Sequence, residues 1–182
     1  MIIVLEGPDL AGKSTIASDL KSFYHDRQHR PVEIVKISQP TEDEPIDLFV
    51  EYVQQVYAAY TKTRMEPDLV VIFDRLHIGE WIYGPRKRAN SKLSWAQIVA
   101  IDDMLDGIKA RKVFVSQPIP ELLKRFDARG EDFVTKAELT DIAKHYMAIL
   151  DPYSTPAMEV HREPTLNRWR VVSKTNDLGA FL

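Results

Sequence analysis

Eight consecutive residues, Gly7-Pro8-Asp9-Leu10-Ala11-Gly12-Lys13-Ser14, place two glycines, a lysine and a hydroxyl at the spacing of a phosphate-binding loop. Glycines let backbone N–H groups wrap a polyphosphate, Lys13 brings a cation to its terminal oxygens, and the Ser14 hydroxyl stands where it can ligate Mg²⁺. The expected ligand is a nucleoside triphosphate, held by Gly7, Asp9, Leu10, Ala11, Gly12, Lys13, Ser14 and Thr15. Transfer of its terminal phosphoryl group to a second anion brings about four or more negative charges together, so positioned cations do most of the work. Asp74 is the expected outer-sphere anchor for Mg²⁺, although a strand-terminal Asp also serves as a plain helix cap. Arg125 and Arg129 lie one helical turn apart beside Gly130 and can face one ligand together, neutralising the transferred group and excluding water. Their bland alternative is a solvated helix face.

Such a loop works only between a strand and a helix, and the chain supplies both: Met1–Glu6 is apolar and strand-like, and Ile16–Asp26 reads as an amphipathic helix. Further strands are expected at Val32–Ile37, Leu69–Phe73, Lys112–Ser116 and Trp169–Ser173. Between them lie helical patterns. A polar loop from Ser38 to Pro45 leads into a long helix whose stripe is Ile46, Phe49, Val53, Val56 and Tyr60, with Pro45 at its start. Another helix ends at Tyr83 before a Gly84-Pro85 break. Ser94-x-x-Gln97 and Thr135-x-x-Glu138 are capping boxes opening two more, the second running to Leu150, with a short helix Glu121–Asp127 between. Strands separated by helices with right-handed crossovers give a doubly wound α/β fold: a parallel five-stranded sheet with helices on both faces, and a short arginine-bearing lid at about 125–136.

The 182 residues fit a single domain, and the net charge of −3, with signs interspersed, argues against a nucleic-acid partner and against a polybasic membrane anchor. There is no cysteine, which removes disulfides, thiolate catalysis and cysteine-based zinc sites. No apolar run of about eighteen residues and no charged-then-apolar leader precedes the first strand, so a soluble cytoplasmic chain is expected. His25 and His29 have the spacing of two helix-borne metal ligands but lack a third, and read as an exposed face. Trp81, Trp95 and Trp169 are too scattered for a stacking platform, so at least two are expected to pack.

Glu6-Gly7-Pro8-Asp9 through Thr15, Phe73-Asp74-Arg75, and Arg125-x-x-x-Arg129-Gly130 together resemble the thymidylate kinase family over roughly residues 1–150, and the wording from Arg75 to Pro85 looks closer to virus-encoded members. The resemblance implies an Mg²⁺- and ATP-dependent deoxynucleoside monophosphate kinase and a homodimer, with the Ile46–Tyr60 stripe and the Ser94–Ile108 helix as its packing face. It implies that Arg75 grips the acceptor phosphate, that Asp9 contacts the 3′-hydroxyl, that Tyr83 guards the 2′ side of the sugar, and that Phe49 stacks on the base. Phe49 at helical spacing also fits a core role. Where some members carry a loop arginine, this chain has Asp9-Leu10-Ala11, which shifts the burden to the lid arginines. Val53 and Glu80 depart from the thymine-reading pattern; a carboxylate at Glu80 suits a base edge with N–H donors, or pairs with Arg86 or Lys87.

The nearest rival is a deoxynucleoside kinase, which needs a carboxylate base for a neutral 5′-hydroxyl. Ile37-Ser38-Gln39-Pro40-Thr41 offers none where the second strand ends, though Glu42 and Glu44 follow closely. A GTP-driven switch would need an Asn-Lys-x-Asp element, which is absent, and a non-catalytic nucleotide-binding module sits poorly with the full set of cations. Ala157–Thr165 reads either as a loop over the donor or as an ordinary connection.

Overall fold

The computed structural model describes residues 1–37, 47–87, 93–129, 134–150 and 169–172. Its centre is the strand β1 (Ile2–Glu6), whose five residues are all buried. Successive side chains of a strand point to opposite faces, so burial of every one of them requires both faces of the sheet to be covered. β2 (Val32–Lys36), β3 (Val70–Asp74), β4 (Arg111–Val115) and β5 (Arg170–Val172) complete a five-stranded sheet in the order β2-β3-β1-β4-β5. All pairs are parallel. The registers set Leu5 beside Asp74, and Asp74 beside Lys36, so the strand ends that carry chemistry share one edge. This is the expected α/β architecture.

Among the described residues six α-helices cover the sheet: α1 (Lys13–Ser22), α2 (Leu48–Met65), α3 (His77–Lys87), α4 (Trp95–Gly107), α5 (Ile119–Arg129) and α6 (Lys136–Leu150). Helix α1 continues through a π-helical turn at Phe23–Arg27. Both capping boxes form. Ser94 Oγ accepts from the Gln97 N–H at 3.4 Å while Gln97 Oε1 accepts from the Ser94 N–H at 2.8 Å. Thr135 and Glu138 exchange the same pair at 3.2 and 2.7 Å.

Several expectations need correction. The expected start of α2 at Pro45 lies outside the described residues, and the cap seen is Asp47, whose carboxylate accepts from the Phe49 and Val50 N–H groups. The face that α2 buries is Leu48, Tyr52, Val56 and Ala59, while Phe49, Val53 and Tyr60 are half-buried beside it. The apolar stripe is wider than the five positions read from the sequence.

Helix α3 does not stop at Gly84-Pro85 but runs through it to Lys87. A proline removes one helical hydrogen bond, which is tolerated in a last turn when other contacts hold it. Here the Arg86 guanidinium donates back to the Ile82 carbonyl and to Asp141 of α6. Trp81 and Trp95, far apart in sequence, meet with ring centroids 5.5 Å apart, so the tryptophans are less scattered than they read. His25 and His29 are exposed, and no group of three or more potential metal ligands occurs among the described residues.

Candidate active site

The loop after β1 turns sharply because Gly7 takes φ 149°, and a Cβ there would sit 2.3 Å from the Val115 carbonyl oxygen of β4. Only glycine fits so close to a neighbouring backbone. Gly12, at φ 99°, caps α1, which begins at Lys13, so the positive end of the helix dipole faces the loop. Gly7 and the buried Ala11 shape the turn, whereas Asp9, Leu10, Gly12, Lys13, Ser14 and Thr15 line a cleft of about 900 Å³.

Lys13 is buried and donates to the carbonyls of Gly7 at 2.9 Å and Pro8 at 2.6 Å. Burial lowers its pKa to about 7, the nearby Arg75 charge adding to the effect while Asp9, Asp74 and Glu6 oppose it. A cation so disfavoured gains by meeting an anion. Ser14 Oγ lies 3.2 Å from Asp74 Oδ2, hydroxyl and carboxylate side by side at the cleft wall. Hard oxygen donors of this kind, with phosphate oxygens completing the sphere, suit Mg²⁺.

Arg75 stands immediately after β3 in the left-handed region, φ 69°, anchored by its N–H to the Leu5 carbonyl at 2.9 Å. A non-glycine residue there is strained and must be held by its surroundings. Its guanidinium donates to the Asp9 carboxylate and lies 5.1 Å over the Tyr83 ring, whose hydroxyl accepts from the Asp9 N–H at 3.0 Å. Arg75 Nε is buried with no hydrogen-bond partner among the described residues. Burial would raise the Asp9 carboxyl, but Arg75 and Lys13 outweigh it and hold Asp9 below the ordinary carboxylate range. Asp9, Arg75 and Tyr83 thus form one unit on the cleft wall.

What fixes this unit escaped the sequence reading. Glu6 is fully buried, and its Oε1 accepts from the N–H groups of Leu76 at 2.9 Å, Ile78 at 3.1 Å and Gly79 at 3.4 Å, while Oε2 accepts from Tyr146 at 3.1 Å. The N-terminus of α3 is therefore capped from the end of β1, and Asp74 is left to face the cleft. A glutamate closing an otherwise apolar strand was the available signal.

Arg125 reaches back from α5: Nη1 donates to the Leu10 carbonyl at 3.0 Å and Nε to Glu121 at 3.0 Å. Arg125, Ala128 and Arg129 line the cleft together, while Gly130 and the rest of the expected lid up to residue 133 lie outside the described residues. Helix α5 is longer than expected, covering Ile119–Arg129, and this carries both arginines on one regular element. Lys36 and Ile37 also line the cleft, at the end of β2, a place the sequence reading left without a role. Phe49 and Glu80 are not among the lining residues: Phe49 is half-buried against the core and Glu80 is buried on α3. Glu42, Glu44 and Ala157–Thr165 fall outside the described residues.

The model of the family Polyphosphate kinase 2 (PPK2) matches residues 1–177. A curated relative, the SPbeta prophage-derived uncharacterized protein YorR of Bacillus subtilis, is 24% identical over 149 residues, covering 82% of this chain and 81% of its own. The crystal structure of YorR in complex with phosphorylated GDP is similar at a TM-score of 0.53 and 25% identity, covering 80% of this chain and 77% of that one. A deoxyadenosine kinase from M. mycoides, with dCMP and dCDP bound, aligns at a TM-score of 0.44 and 15% identity over 97% of this chain and 91% of its own. Family and fold together support a phosphotransferase with a nucleotide kinase-like P-loop fold.

Proposed function

The chain belongs to the polyphosphate kinase 2 (PPK2) family, and from that premise we propose that it moves the γ-phosphoryl group of ATP to a deoxynucleoside monophosphate, giving the diphosphate, in the manner of a thymidylate kinase-like enzyme. The observation that carries the reading is Arg75, held at the end of β3 by Asp9 and Tyr83 with its Nε unpaired and its fork on the cleft wall. A planar guanidinium fixed in this way suits two oxygens of a phosphate better than a neutral hydroxyl.

The division of labour follows from the sheet order. Lys13, Ser14 and the α1 N-terminus serve the donor phosphates, and Arg125 and Arg129, reached through β4, close over that side. Arg75 and Tyr83, reached through β3, serve the acceptor, with Asp9 between them. Ser14 and Asp74 would hold Mg²⁺, which when bound neutralises charge on the donor phosphates. An acceptor phosphate is already ionised at neutral pH, so no base is required to activate it. The described end of β2 agrees with this, since it carries Lys36 rather than a carboxylate.

Phe49 and Glu80 remain the proposed readers of the base, an arrangement that would need α2 and α3 to close on the nucleotide. The phosphorylated GDP held by YorR puts guanine first among the bases to try. The family's name favours a second reading in which inorganic polyphosphate replaces ATP as donor, and a cleft walled by Lys13, Arg125 and Arg129 has the charge for it. The dimer and the cytoplasmic location also stand as proposals; among the described residues no helix is long and apolar enough to cross a membrane.

The test is diphosphate formation by purified protein with Mg²⁺ and either ATP or inorganic polyphosphate, against dGMP, dTMP, dUMP, dCMP, dAMP and the matching deoxynucleosides. Turnover of one monophosphate supports the reading, and the donor that works decides between its two forms. Turnover of deoxynucleosides alone overturns both.

A further inference from the structure

Lys36 closes β2 and is exposed on the cleft wall, register partner of Asp74 on the neighbouring strand and one residue removed in that register from Arg75. In an open parallel sheet, ligands sit beyond the carboxyl ends of the strands, so a lysine at that edge is directed at whatever the cleft holds. Among the described residues, the Lys36 side chain has no hydrogen bond or ion pair. Three of the other cleft cations are engaged, Lys13 with loop carbonyls, Arg75 with Asp9, and Arg125 with Glu121 and Leu10, while Arg129, on the α5 side, has no side-chain partner among the described residues.

Its position also separates it from the lid arginines. The sheet order sets β2 at one edge, beyond β3, whereas Arg125 and Arg129 follow β4 on the opposite side of β1. Lys36 and the lid arginines therefore stand at opposite ends of the cleft, with the phosphate loop between them.

We infer that Lys36 is a specificity-determining residue that pairs with the phosphate of the acceptor and selects phosphorylated acceptors over neutral ones, an inference that rests on the monophosphate kinase reading. An ammonium on the same cleft wall as the Arg75 fork supplies a second positive charge to a dianionic phosphate, whereas opposite a neutral 5′-hydroxyl it would have no counter-charge. The same charge lowers the pKa of a nearby carboxylate and so weakens it as the general base that a hydroxyl acceptor would demand.

Initial rates are measured with the monophosphate from dGMP, dTMP, dUMP, dCMP and dAMP that wild type turns over fastest, varying acceptor and donor separately, for wild type, Lys36→Gln and Lys36→Arg. A charge-assisted contact at an exposed site predicts acceptor KM raised about tenfold in Lys36→Gln, largely restored in Lys36→Arg, with donor KM unchanged. An unchanged acceptor KM, or a rise confined to the donor, overturns the inference while leaving the kinase reading in place. Wild type that turns over deoxynucleosides and no monophosphate overturns the kinase reading and this inference with it. Lys36 is exposed at a strand end, so matching melting curves for the three proteins exclude unfolding as the cause.

Discussion

Nucleotide binding should draw a proton from solvent through Lys13. The protein's own groups hold this lysine at about 7, whereas the usual lysine value is about 10.4. A triphosphate in the loop adds negative charge where burial had disfavoured the cation, returning the ammonium toward its ordinary value. Free protein at about pH 8 carries the Lys13 proton in roughly a tenth of molecules and the complex in nearly all, so binding takes up about 0.9 proton. The same linkage weakens the apparent Kd by about 90-fold, or about 2.7 kcal/mol, between about pH 6 and about pH 9.

The assay is calorimetric titration with Mg²⁺ and a non-hydrolysable ATP analogue in buffers of different ionisation enthalpy. At about pH 8 and above, phosphates are fully ionised and do not compete for the proton. Lys13→Met should abolish the uptake. Uptake near zero at that pH, with a pH-independent Kd, would refute the burial argument for Lys13.

Three further expectations follow from the same geometry. The depressed Lys13 pKa means the unfolded chain binds more protons than the folded one between about pH 7 and about pH 10.4, so this residue costs stability that is fully present below that window and relieved as pH rises through it. Lys13→Met should therefore raise the melting temperature of the ligand-free protein at about pH 6 by at least about 2 °C, while removing the shift caused by nucleotide. Gly7→Ala, whose Cβ would lie 2.3 Å from the Val115 carbonyl oxygen in a left-handed backbone, should destabilise by about 3 kcal/mol or more, read as a lower urea midpoint. Ser14→Ala and Asp74→Asn should each raise the Mg²⁺ concentration for half-maximal rate by about tenfold with little change in melting temperature, since their oxygens meet at the exposed cleft wall.

Local rules made the fold readable. The five strands show as short β-rich apolar runs, and two capping boxes announce α4 and α6 from four letters each. Where tertiary contacts overrule local ones, the reading failed: Pro85 breaks a helix in isolation, yet Arg86 ties that turn to its own Ile82 carbonyl and to Asp141. The phosphate loop, Asp74, Arg75, Tyr83 and the two lid arginines come together in one cleft because they occupy strand ends, the turns after them or the helices that follow, at the same edge of the sheet.

Glu6 and Lys36 were harder to see. Glu6 bonds to N–H groups seventy or more positions away, from Leu76 to Gly79, and no spacing rule reaches that far. Lys36 matters only once β2 is known to lie beside β3. Phe49 shows the opposite difficulty, since helical periodicity fits both a core residue and a stacking platform, and the fold places it against the core.

The central claim is that the terminal phosphoryl group lands on a phosphate rather than on a hydroxyl. Incubation with Mg²⁺ and ATP labelled in its γ-phosphate, together with an equimolar mixture of the five deoxynucleoside monophosphates and their deoxynucleosides, followed by mass and label analysis of the products, tests it directly. Label is expected in the β-position of a deoxynucleoside diphosphate, and none after Lys13→Ala. Label in a newly formed monophosphate, or released only as inorganic phosphate, would contradict it.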